Sequence, residues 1–345
     1  MTRLGQGDPQ LHDHHVREPR SAECRGPRGE HVGDHALDPL AREAAGEIAG
    51  VLDADPLLDR PARGGWPGEE ERSHRPLRHG RDVDSATAIR SELTWLQAIR
   101  SETDLAVPEP LPAVDRCTTV EVSTAVETRI CSVLRWMDGR IHESSPRPVH
   151  LRRLGEAMAG LHNQADAWVQ PPGFVRIHWD HETFYGDGMV YRNTPAAECW
   201  ALLPPAVRAR FQAVAARMSD IMPRVGRVGL IHADLHLGNA LFQRGEVKLI
   251  DFDDCGTGPR LYELAVALWE LRDRPDQAAF REALLTGYRT RRDVDPTHLD
   301  DFIALRQVAF DLWFTGTAQV NPAFAAKLDG VHQWSLQMLD LVEAR

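Results

Sequence analysis

Two neighbouring segments decide the fold of this chain: Gly229-Leu-Ile-His-Ala-Asp-Leu-His-Leu-Gly-Asn-Ala-Leu-Phe242 and Val247-Lys-Leu-Ile-Asp-Phe-Asp-Asp254. Each begins as a short apolar strand and continues into a loop that is rich in polar side chains. Loops that are held by strands are common positions for catalytic groups. We therefore predict that these two segments form the functional site of the protein.

The polar residues in these loops are those that phosphoryl transfer requires. Asp234 lies two residues beyond His232, which suits a general base facing a substrate hydroxyl while the histidine braces the loop from below. Asn239 offers a neutral oxygen atom and Asp251 a carboxylate, and Mg²⁺ prefers oxygen ligands of this kind. We therefore predict a base at Asp234 and a magnesium site at Asn239 and Asp251.

The pattern His-Ala-Asp-Leu-His-x-Gly-Asn, a short hairpin and Leu-Ile-Asp-Phe-Asp-Asp resembles the aminoglycoside phosphotransferase and choline-kinase-like branch of the protein-kinase fold. Within that branch the chain is most similar to the group that contains type II homoserine kinases and the bacterial stress-response kinase. Members of this group transfer the γ-phosphate of ATP to a hydroxyl. The resemblance covers residues 84–345 and is strongest over 229–271.

The resemblance implies a role for each polar residue of the motif. It makes Asp234 the catalytic base, Asn239 and Asp251 the magnesium ligands, and His232 the structural histidine of the catalytic loop. Asp253 becomes an additional ligand or a residue that supports the ligands. ATP and Mg²⁺ are the implied cofactors, and the acceptor is a hydroxyl-bearing small molecule or a protein serine or threonine.

The nucleotide site of such a protein also needs a hinge between two lobes, and the resemblance places it at Ser132–Gly139. The backbone of this segment, around Leu134 and Trp136, would hold the adenine. Glu92 matches the helix glutamate that pairs with the phosphate-binding cation in this fold. The resemblance thus implies that this segment and Glu92 take part in binding the nucleotide.

The cation that should pair with Glu92 is difficult to find in the sequence. The chain has two lysines, Lys248 and Lys327, and neither precedes Glu92. Arg78 is the candidate replacement, although its neighbours lack the apolar character of a buried strand. A glycine-rich loop over the phosphates is also missing from its usual place.

The chain divides into three parts by composition. Residues 1–83 are crowded with Arg, Gly, Pro, Asp and His, and they contain one aromatic residue, Trp66, and one isoleucine, Ile48. Such a segment has little to bury, so we predict irregular or disordered chain there. We predict the remnant of a β-rich N-lobe with its hinge at 84–139 and an α-rich C-lobe at 140–345. The expected fold is therefore α+β, protein-kinase-like and bilobal, with a truncated N-lobe.

Apolar periodicity predicts the individual elements of the folded part. Residues 163–200, rich in aromatic side chains, are expected to form an ordered insertion beside the site. The predicted helices are 86–100, 151–162, 262–271, 277–288, 299–315 and 331–343, and the predicted strands are 118–123 and 128–137, which form an antiparallel pair.

Composition excludes several classes of function. The formal charge of −11 argues against nucleic acid as a partner, because affinity for a polyanion comes mainly from a basic surface. No apolar run approaches the length of a membrane span, and the start of the chain lacks the apolar core of a signal peptide. The cysteines are odd in number and form no CxxC pair, so we expect a reduced cytoplasmic protein without membrane contact. They are Cys24, Cys117, Cys131, Cys199 and Cys255.

Several alternatives stay open at this point. The absence of a lysine and a glycine-rich loop is also compatible with an impaired pseudokinase that binds nucleotide or a partner. His232, Asp234 and His236 superficially resemble the spacing of a dinuclear metallohydrolase, which ranks last. A separate hypothesis concerns the origin of residues 1–83. It states that the gene is GC-rich and that these residues are translated from a shifted frame or a wrong start. The acceptor could be an aminoglycoside, choline, a homoserine-like amino alcohol or a protein serine.

Overall fold

The computed structural model describes most of the chain from Ser85 onward. Residues 1–83, and Arg78 with them, lie outside the described residues, so the predictions made for them stay predictions. The described ranges are 85–123, 128–186, 189–191, 194–226 and 228–344.

Helices form the larger share of the described chain, and short strands position the loops between them. The helices are α1 (Ser85–Glu102), α2 (Pro148–Ala167), α3 (His181–Tyr185), α4 (Ala196–Leu202), α5 (Pro205–Ile221), α6 (Arg260–Trp269), α7 (Gln277–Arg289), α8 (Leu299–Ala318), α9 (Pro322–Ala325) and α10 (Leu328–Glu343). The strands are β1 (Pro110–Leu111), β2 (Val120–Ser123), β3 (Thr128–Cys131), β4 (Val133–Leu134), β5 (Ile177–His178), β6 (Val190–Tyr191), β7 (Thr194–Pro195), β8 (Val228–Ile231), β9 (Ala240–Gln243), β10 (Glu246–Leu249) and β11 (Gly256–Pro259).

The N-terminal part of the described chain consists of α1 and two small strand pairs. The apolar face of α1 buries Leu93, Leu96 and Ile99 almost completely, as its periodicity predicts. Strands β2 and β3 pair antiparallel, which confirms the predicted pair. The single strand predicted over 128–137 is wrong in its extent, because the chain is interrupted at Ser132 and β4 pairs with β1 instead of β2.

Two small sheets of the C-terminal part hold the predicted site. Strand β8 pairs antiparallel with β11, and β11 pairs parallel with β5 from the insertion. Strands β9 and β10 form a hairpin whose turn, Arg244 and Gly245, has φ angles of 49° and 95°. Two successive positive φ values are the conformation that tight hairpins favour. This hairpin places the end of the first polar segment beside the start of the second.

Helices α2 and α7 approach each other at the distance of backbone contact. A Cβ atom at Gly155 would lie 2.2 Å from the carbonyl oxygen of Leu284, and one at Gly287 would lie 1.8 Å from that of Arg152. Both glycines are required by this close approach, because any side chain would collide with backbone atoms that cannot move aside. Helices α2 and α7 are therefore a closely packed pair in the C-terminal part.

Within the described ranges, no helix combines the length and the apolar character that crossing a lipid bilayer requires.

The close contact of α2 and α7 generates a stability prediction. Gly287→Ala is expected to lower the free energy of unfolding by about 1–3 kcal/mol, because the added methyl group overpacks the interface. Gly330→Ala in α10 is the matched control: its Cβ would meet nothing within 4 Å, so it should raise stability by up to about 1 kcal/mol. Urea denaturation measures both values, and equal responses would contradict the assigned contact.

Candidate active site

His232, the first residue of the first polar loop (residues 232–239), bonds to the chain directly before the second polar loop (residues 251–255). This side chain is fully buried. Its Nε2 lies 2.9 Å from the carbonyl oxygen of Ile250, so Nε2 carries the proton and donates it. Its Nδ1 accepts a hydrogen bond of 3.4 Å from the backbone N–H of Asp234. The histidine therefore fixes the backbone of the first polar loop at Asp234 and ties it to Ile250.

Glu263 of α6 holds the start of the first polar loop by bonding to its backbone. Its two carboxylate oxygens accept the backbone N–H groups of His232, at 3.0 Å, and of Ala233, at 2.7 Å. Ala233 has a φ of 69°, a left-handed conformation that costs free energy for a residue with a Cβ atom. Glu263 is fully buried, and burial alone raises the pKa of its carboxyl. The side chain of His162 and the charge and backbone N–H of His232 have the larger effect, so the pKa lies below its ordinary value. The ionised carboxylate thus stabilises a strained turn.

Asp234, the candidate base, is held through both carboxylate oxygens. Asn239 Nδ2 donates to Asp234 Oδ2 at 3.1 Å and to its carbonyl oxygen at 2.9 Å. Arg306 donates to Oδ1, and His236 Nε2 lies 3.7 Å from Oδ2. Burial alone raises the pKa of Asp234, but Arg306 foremost, with His236 and His232, holds that pKa well below its ordinary value. The carboxylate is therefore ionised and fixed in orientation.

Arg306 is a site residue that the sequence did not indicate. It lies on α8, 72 positions after Asp234, and it also donates to the hydroxyl of Tyr262 at 3.2 Å. Burial opposes the charge of Arg306, yet Tyr262 and Asp234 raise its pKa above the ordinary value. Helix α8 also contains Asp300, Asp301 and Asp311, and its local pattern does not show which carboxylate Arg306 reaches.

The two predicted magnesium ligands are brought together by the β9–β10 hairpin. The backbone N–H of Ile250 donates to the carbonyl oxygen of Asn239 at 3.1 Å, so Asp251 follows directly beside Asn239. Asp251 has a φ of 69°, which turns the chain sharply away from strand β10. Because Asp234 engages the amide nitrogen of Asn239, the amide oxygen is the atom left for a cation.

The charge of the second polar loop fits a divalent cation. Burial, followed by the neighbouring carboxylates of Asp254 and Asp251, raises the pKa of Asp253 well above its ordinary value. Burial and then Asp234 raise the pKa of Asp254 to about 7. A bound cation would relieve this repulsion. In the part of the chain that the structure describes, no three His, Cys, Asp or Glu side chains form a metal site by themselves, so phosphate and water oxygens would complete the shell.

Glu92 faces the guanidinium group of Arg176, which lies directly before β5. Arg176 Nη1 lies 3.9 Å from Glu92 Oε2 and donates to the carbonyl oxygen of Ala88 at 3.0 Å. The same guanidinium donates to the carbonyl oxygens of Asp253 and of Cys255, the latter at 2.6 Å. Arg176 therefore ties α1 to the second polar loop, a role that the sequence did not predict.

The predicted hinge is anchored to the β9–β10 hairpin. Leu134 lies in β4, opposite Pro110. The side chain of Trp136 is 81% exposed, so this indole does not form a buried pocket wall. Lys248 Nζ donates to the carbonyl oxygen of Asp138 at 2.8 Å. The roles of Leu134 and Trp136 in holding the adenine stay predictions.

The fold and its paired polar loops are those of the protein-kinase-like phosphotransferases. The chain belongs to the phosphotransferase enzyme family, whose sequence profile matches residues 68–299. The resemblance seen in the motif is therefore confirmed, and the matched range begins before the first residue that the structure describes.

Individual relatives agree with this family. The amicoumacin kinase of Bacillus subtilis is 26% identical over 185 residues, which is 49% of this chain and 52% of the relative. The homoserine kinase of Methylobacterium nodulans is 28% identical over 215 residues, 59% of this chain and 61% of the relative. The chain thus spans between about half and two thirds of the length of these curated relatives. A solved microcompartment-associated aminopropanol kinase is 28% identical with a TM-score of 0.63, covering 77% of this chain and 83% of that one.

The contacts of Glu263 generate a prediction about stability and pH. Glu263→Gln is expected to lower the free energy of unfolding by about 3 kcal/mol, because one loop N–H loses its acceptor and the buried charge is removed. The folded-state pKa of Glu263 is depressed below 4.5, so its stabilisation is present above that pH and is lost as the pH falls through the lower folded pKa. The variant should therefore show a weaker loss of stability below pH 4.5.

A surface carboxylate provides the control for this experiment. Glu343 pairs with Arg210 and with Arg217, the latter at 3.1 Å, and lies near the end of α10. Glu343→Gln should cost less than about 1 kcal/mol, because exposed ion pairs contribute little. Denaturation between pH 3 and 7 compares the two variants, and a cost for Glu263→Gln as small as that of the control would contradict its assigned role.

Proposed function

We propose that the chain is an ATP- and Mg²⁺-dependent phosphotransferase that moves the γ-phosphate to a hydroxyl of a small molecule. The observation that carries this proposal is the state of Asp234: its carboxylate is ionised and is held by Asn239. The backbone of Asn239 is in turn bonded to Ile250, the residue before Asp251. Family membership supports the reaction type. Two similar proteins are named for homoserine and aminopropanol, which are amino alcohols, so we propose an acceptor of that kind.

The described residues suit this reaction through position and charge. Asp234 would accept a hydrogen bond from the acceptor hydroxyl and take its proton as the oxygen attacks the γ-phosphorus. Asn239 keeps the carboxylate from rotating, and with Asp251 it would hold magnesium. The ion would neutralise charge on the phosphates when bound. His232 and Glu263 would act by holding the loop, because they bond to its backbone groups.

The geometry gives no support to the metallohydrolase alternative. Both ring nitrogens of His232 are engaged by backbone groups, those of Ile250 and Asp234, so the imidazole has no nitrogen left for a metal. The spacing of His232, Asp234 and His236 is therefore explained by the loop that these residues build.

Replacement of the base tests the proposed function. Asp234→Asn keeps the shape of the side chain but cannot take a proton, so turnover of ATP with homoserine or 1-aminopropan-2-ol should fall about 10²–10⁴-fold. Affinity for ATP and Mg²⁺, measured by calorimetry, should change less than about threefold, since the magnesium ligands are intact.

Asp295→Asn is the control, because this aspartate lies on the surface and bonds only to Thr297 among the contacts described for it. It should leave turnover unchanged. Unchanged turnover in Asp234→Asn would refute the assignment of Asp234 as the base. Nucleotide binding without turnover in the unaltered chain would favour the pseudokinase alternative.

Arg306 provides a second test through the pH dependence of the reaction. The guanidinium lowers the pKa of Asp234, so its removal in Arg306→Met should raise that pKa, with burial then dominating. Because the ionised carboxylate is the active form, the acidic limb of kcat/KM should move to higher pH by about 1–3 units.

The control is Arg281→Met. Arg281 pairs with Asp300, with 2.7 Å between Nη1 and Oδ1, and neither residue belongs to the polar loops. Its pH profile should coincide with that of the unaltered protein. A profile of Arg306→Met that also coincides with it would show that Arg306 does not set the charge of the base.

A further inference from the structure

Residues 175–179, which contain strand β5 and are called the β5 segment below, bond to the first half of α1. The backbone N–H of Val175 donates to Ser91 Oγ at 2.9 Å, and Arg176 Nη1 donates to the carbonyl oxygen of Ala88 at 3.0 Å. Ala88 and Ser91 are three positions apart, so they lie on one side of the helix. The β5 segment therefore holds α1 by one face.

The same segment bonds to three consecutive carbonyl oxygens of the second polar loop. Arg176 Nε donates to the carbonyl oxygen of Cys255 at 2.6 Å, and its Nη2 donates to that of Asp253. Trp179 Nε1 donates to the carbonyl oxygen of Asp254, which lies between them in the chain, at 2.9 Å. The direction of a carbonyl group fixes the peptide plane that it shares with the next residue. The β5 segment thus sets the course of the loop backbone.

Backbone contacts strengthen this attachment at the end of the loop. Ile177 lies opposite Gly256 in the parallel pair of β5 and β11, and a Cβ atom at Gly256 would lie 2.4 Å from the carbonyl oxygen of Ile177. The backbone N–H of Trp179 donates to the carbonyl oxygen of Thr257 at 2.7 Å. The chain that leaves the second polar loop is therefore pressed directly against the β5 segment.

The charge of Arg176 alone would not favour a metal ion. Burial and the charge of Asp234 raise the pKa of Asp254, and the guanidinium groups of Arg306 and Arg176 act in the opposite direction. The side chain of Arg176 is only 6% exposed, so water screens its charge little. Because like charges repel, this guanidinium opposes the binding of a second cation nearby. A benefit for a metal ion must therefore come from the position that Arg176 gives to the loop.

The bonds of Arg176 also distinguish it from the missing lysine. Each of its three guanidinium nitrogens already donates to a backbone carbonyl oxygen, and the side chain is almost completely buried. A phosphate oxygen would have to compete with these acceptors for the same nitrogens. Arg176 is therefore suited to fixing the backbone and not to holding the phosphates.

We propose that Arg176 is a positioning residue for the magnesium site. It holds the carbonyl groups of the second polar loop to α1, so the affinity for Mg²⁺ depends on the contact between α1 and that loop. Asp251 begins this loop, and its carboxylate would leave its place beside Asn239 if the loop were released. This inference rests on the proposed function, because the ion is the one that the proposed reaction requires.

Two replacements of Arg176 separate position from charge. Arg176→Lys keeps the positive charge, but a single ammonium group lacks the planar fork that bonds to α1 and to the loop at once. Arg176→Met removes both the charge and the bonds. Calorimetry measures the Mg²⁺ factor, by which excess Mg²⁺, compared with a chelator, tightens the binding of a non-hydrolysable ATP analogue. This factor should fall at least about tenfold in both variants, because the loop that carries Asp251 is no longer held.

Ser91→Ala tests the link from the side of α1. It removes the acceptor of the Val175 N–H and touches no group of the second polar loop. The Mg²⁺ factor should nevertheless fall at least about threefold. The amide of Cys255, which donates to the carbonyl oxygen of Phe252 at 2.9 Å, reports on the order of that loop. Its hydrogen exchange in the ligand-free protein should be at least about fivefold faster in Ser91→Ala and in Arg176→Lys.

Arg208→Met is the matched control. Arg208 Nη2 also donates to two backbone carbonyl oxygens, those of Ala201 at 2.6 Å and Leu203 at 2.9 Å, but it belongs to α5 and to neither polar loop. This variant should leave the Mg²⁺ factor and the exchange of Cys255 unchanged. Thermal unfolding of each variant confirms that it is folded.

The possible outcomes separate this inference from the proposed function. An unchanged Mg²⁺ factor in Arg176→Lys, or a larger one in Arg176→Met, would overturn the inference, because charge and not position would then govern the ion. An equal loss in Arg208→Met, or analogue binding by the unaltered protein that does not respond to Mg²⁺, would also overturn it. A Mg²⁺ factor that depends on Arg176 and Ser91, without phosphorylation of any alcohol, would support the inference and refute the proposed function.

Discussion

The buried carboxylate of Glu263 supports the backbone on which the whole site depends. It accepts two successive N–H groups at a turn where Ala233 has a left-handed conformation. A hydrogen bond to a charged acceptor is stronger than one to a neutral acceptor, so it can offset the cost of that conformation. His162 of α2 lies 3.6 Å from the same carboxylate and bonds to Tyr288 of α7 at 2.7 Å. The loop that presents the base is thereby linked to two helices of the C-terminal part.

A second constraint makes the two polar loops one unit. His232 donates across to Ile250, and Ile250 donates back to Asn239, while the β9–β10 hairpin closes the connection between them. Asp234 therefore keeps a fixed position relative to Asn239 and Asp251. Transfer of a phosphoryl group depends chiefly on positioning and on neutralising charge, so this fixed position is the property that the proposed reaction requires.

The sequence predicted those parts of the structure that depend on local patterns. The helices α1, α2, α6, α7, α8 and α10 follow apolar periodicity, and the polar motif lies on the loops where its order placed it. Arg306 and Arg176 were not predicted, because their partners lie 72 and 77 positions away in the chain and no local pattern encodes such contacts. Glu263 was noticed as a variation of the motif, but its two backbone partners become visible only in three dimensions. The cation proposed at Arg78 lies outside the described residues and stays a prediction.

The backbone contact between α2 and α7 limits where the protein can move. Two helices whose backbones touch at Gly155 and Gly287 leave no space between them at these positions, so they pack as one unit. Amide hydrogens along this contact should exchange with solvent only through global unfolding. The N-terminal and C-terminal parts are joined at several places, among them the bond from Lys248 to the carbonyl oxygen of Asp138 and the bonds of Arg176 to Ala88 and Cys255. A change in the relative position of the two parts therefore requires these bonds to break, whereas the backbone contact of α2 with α7 is kept.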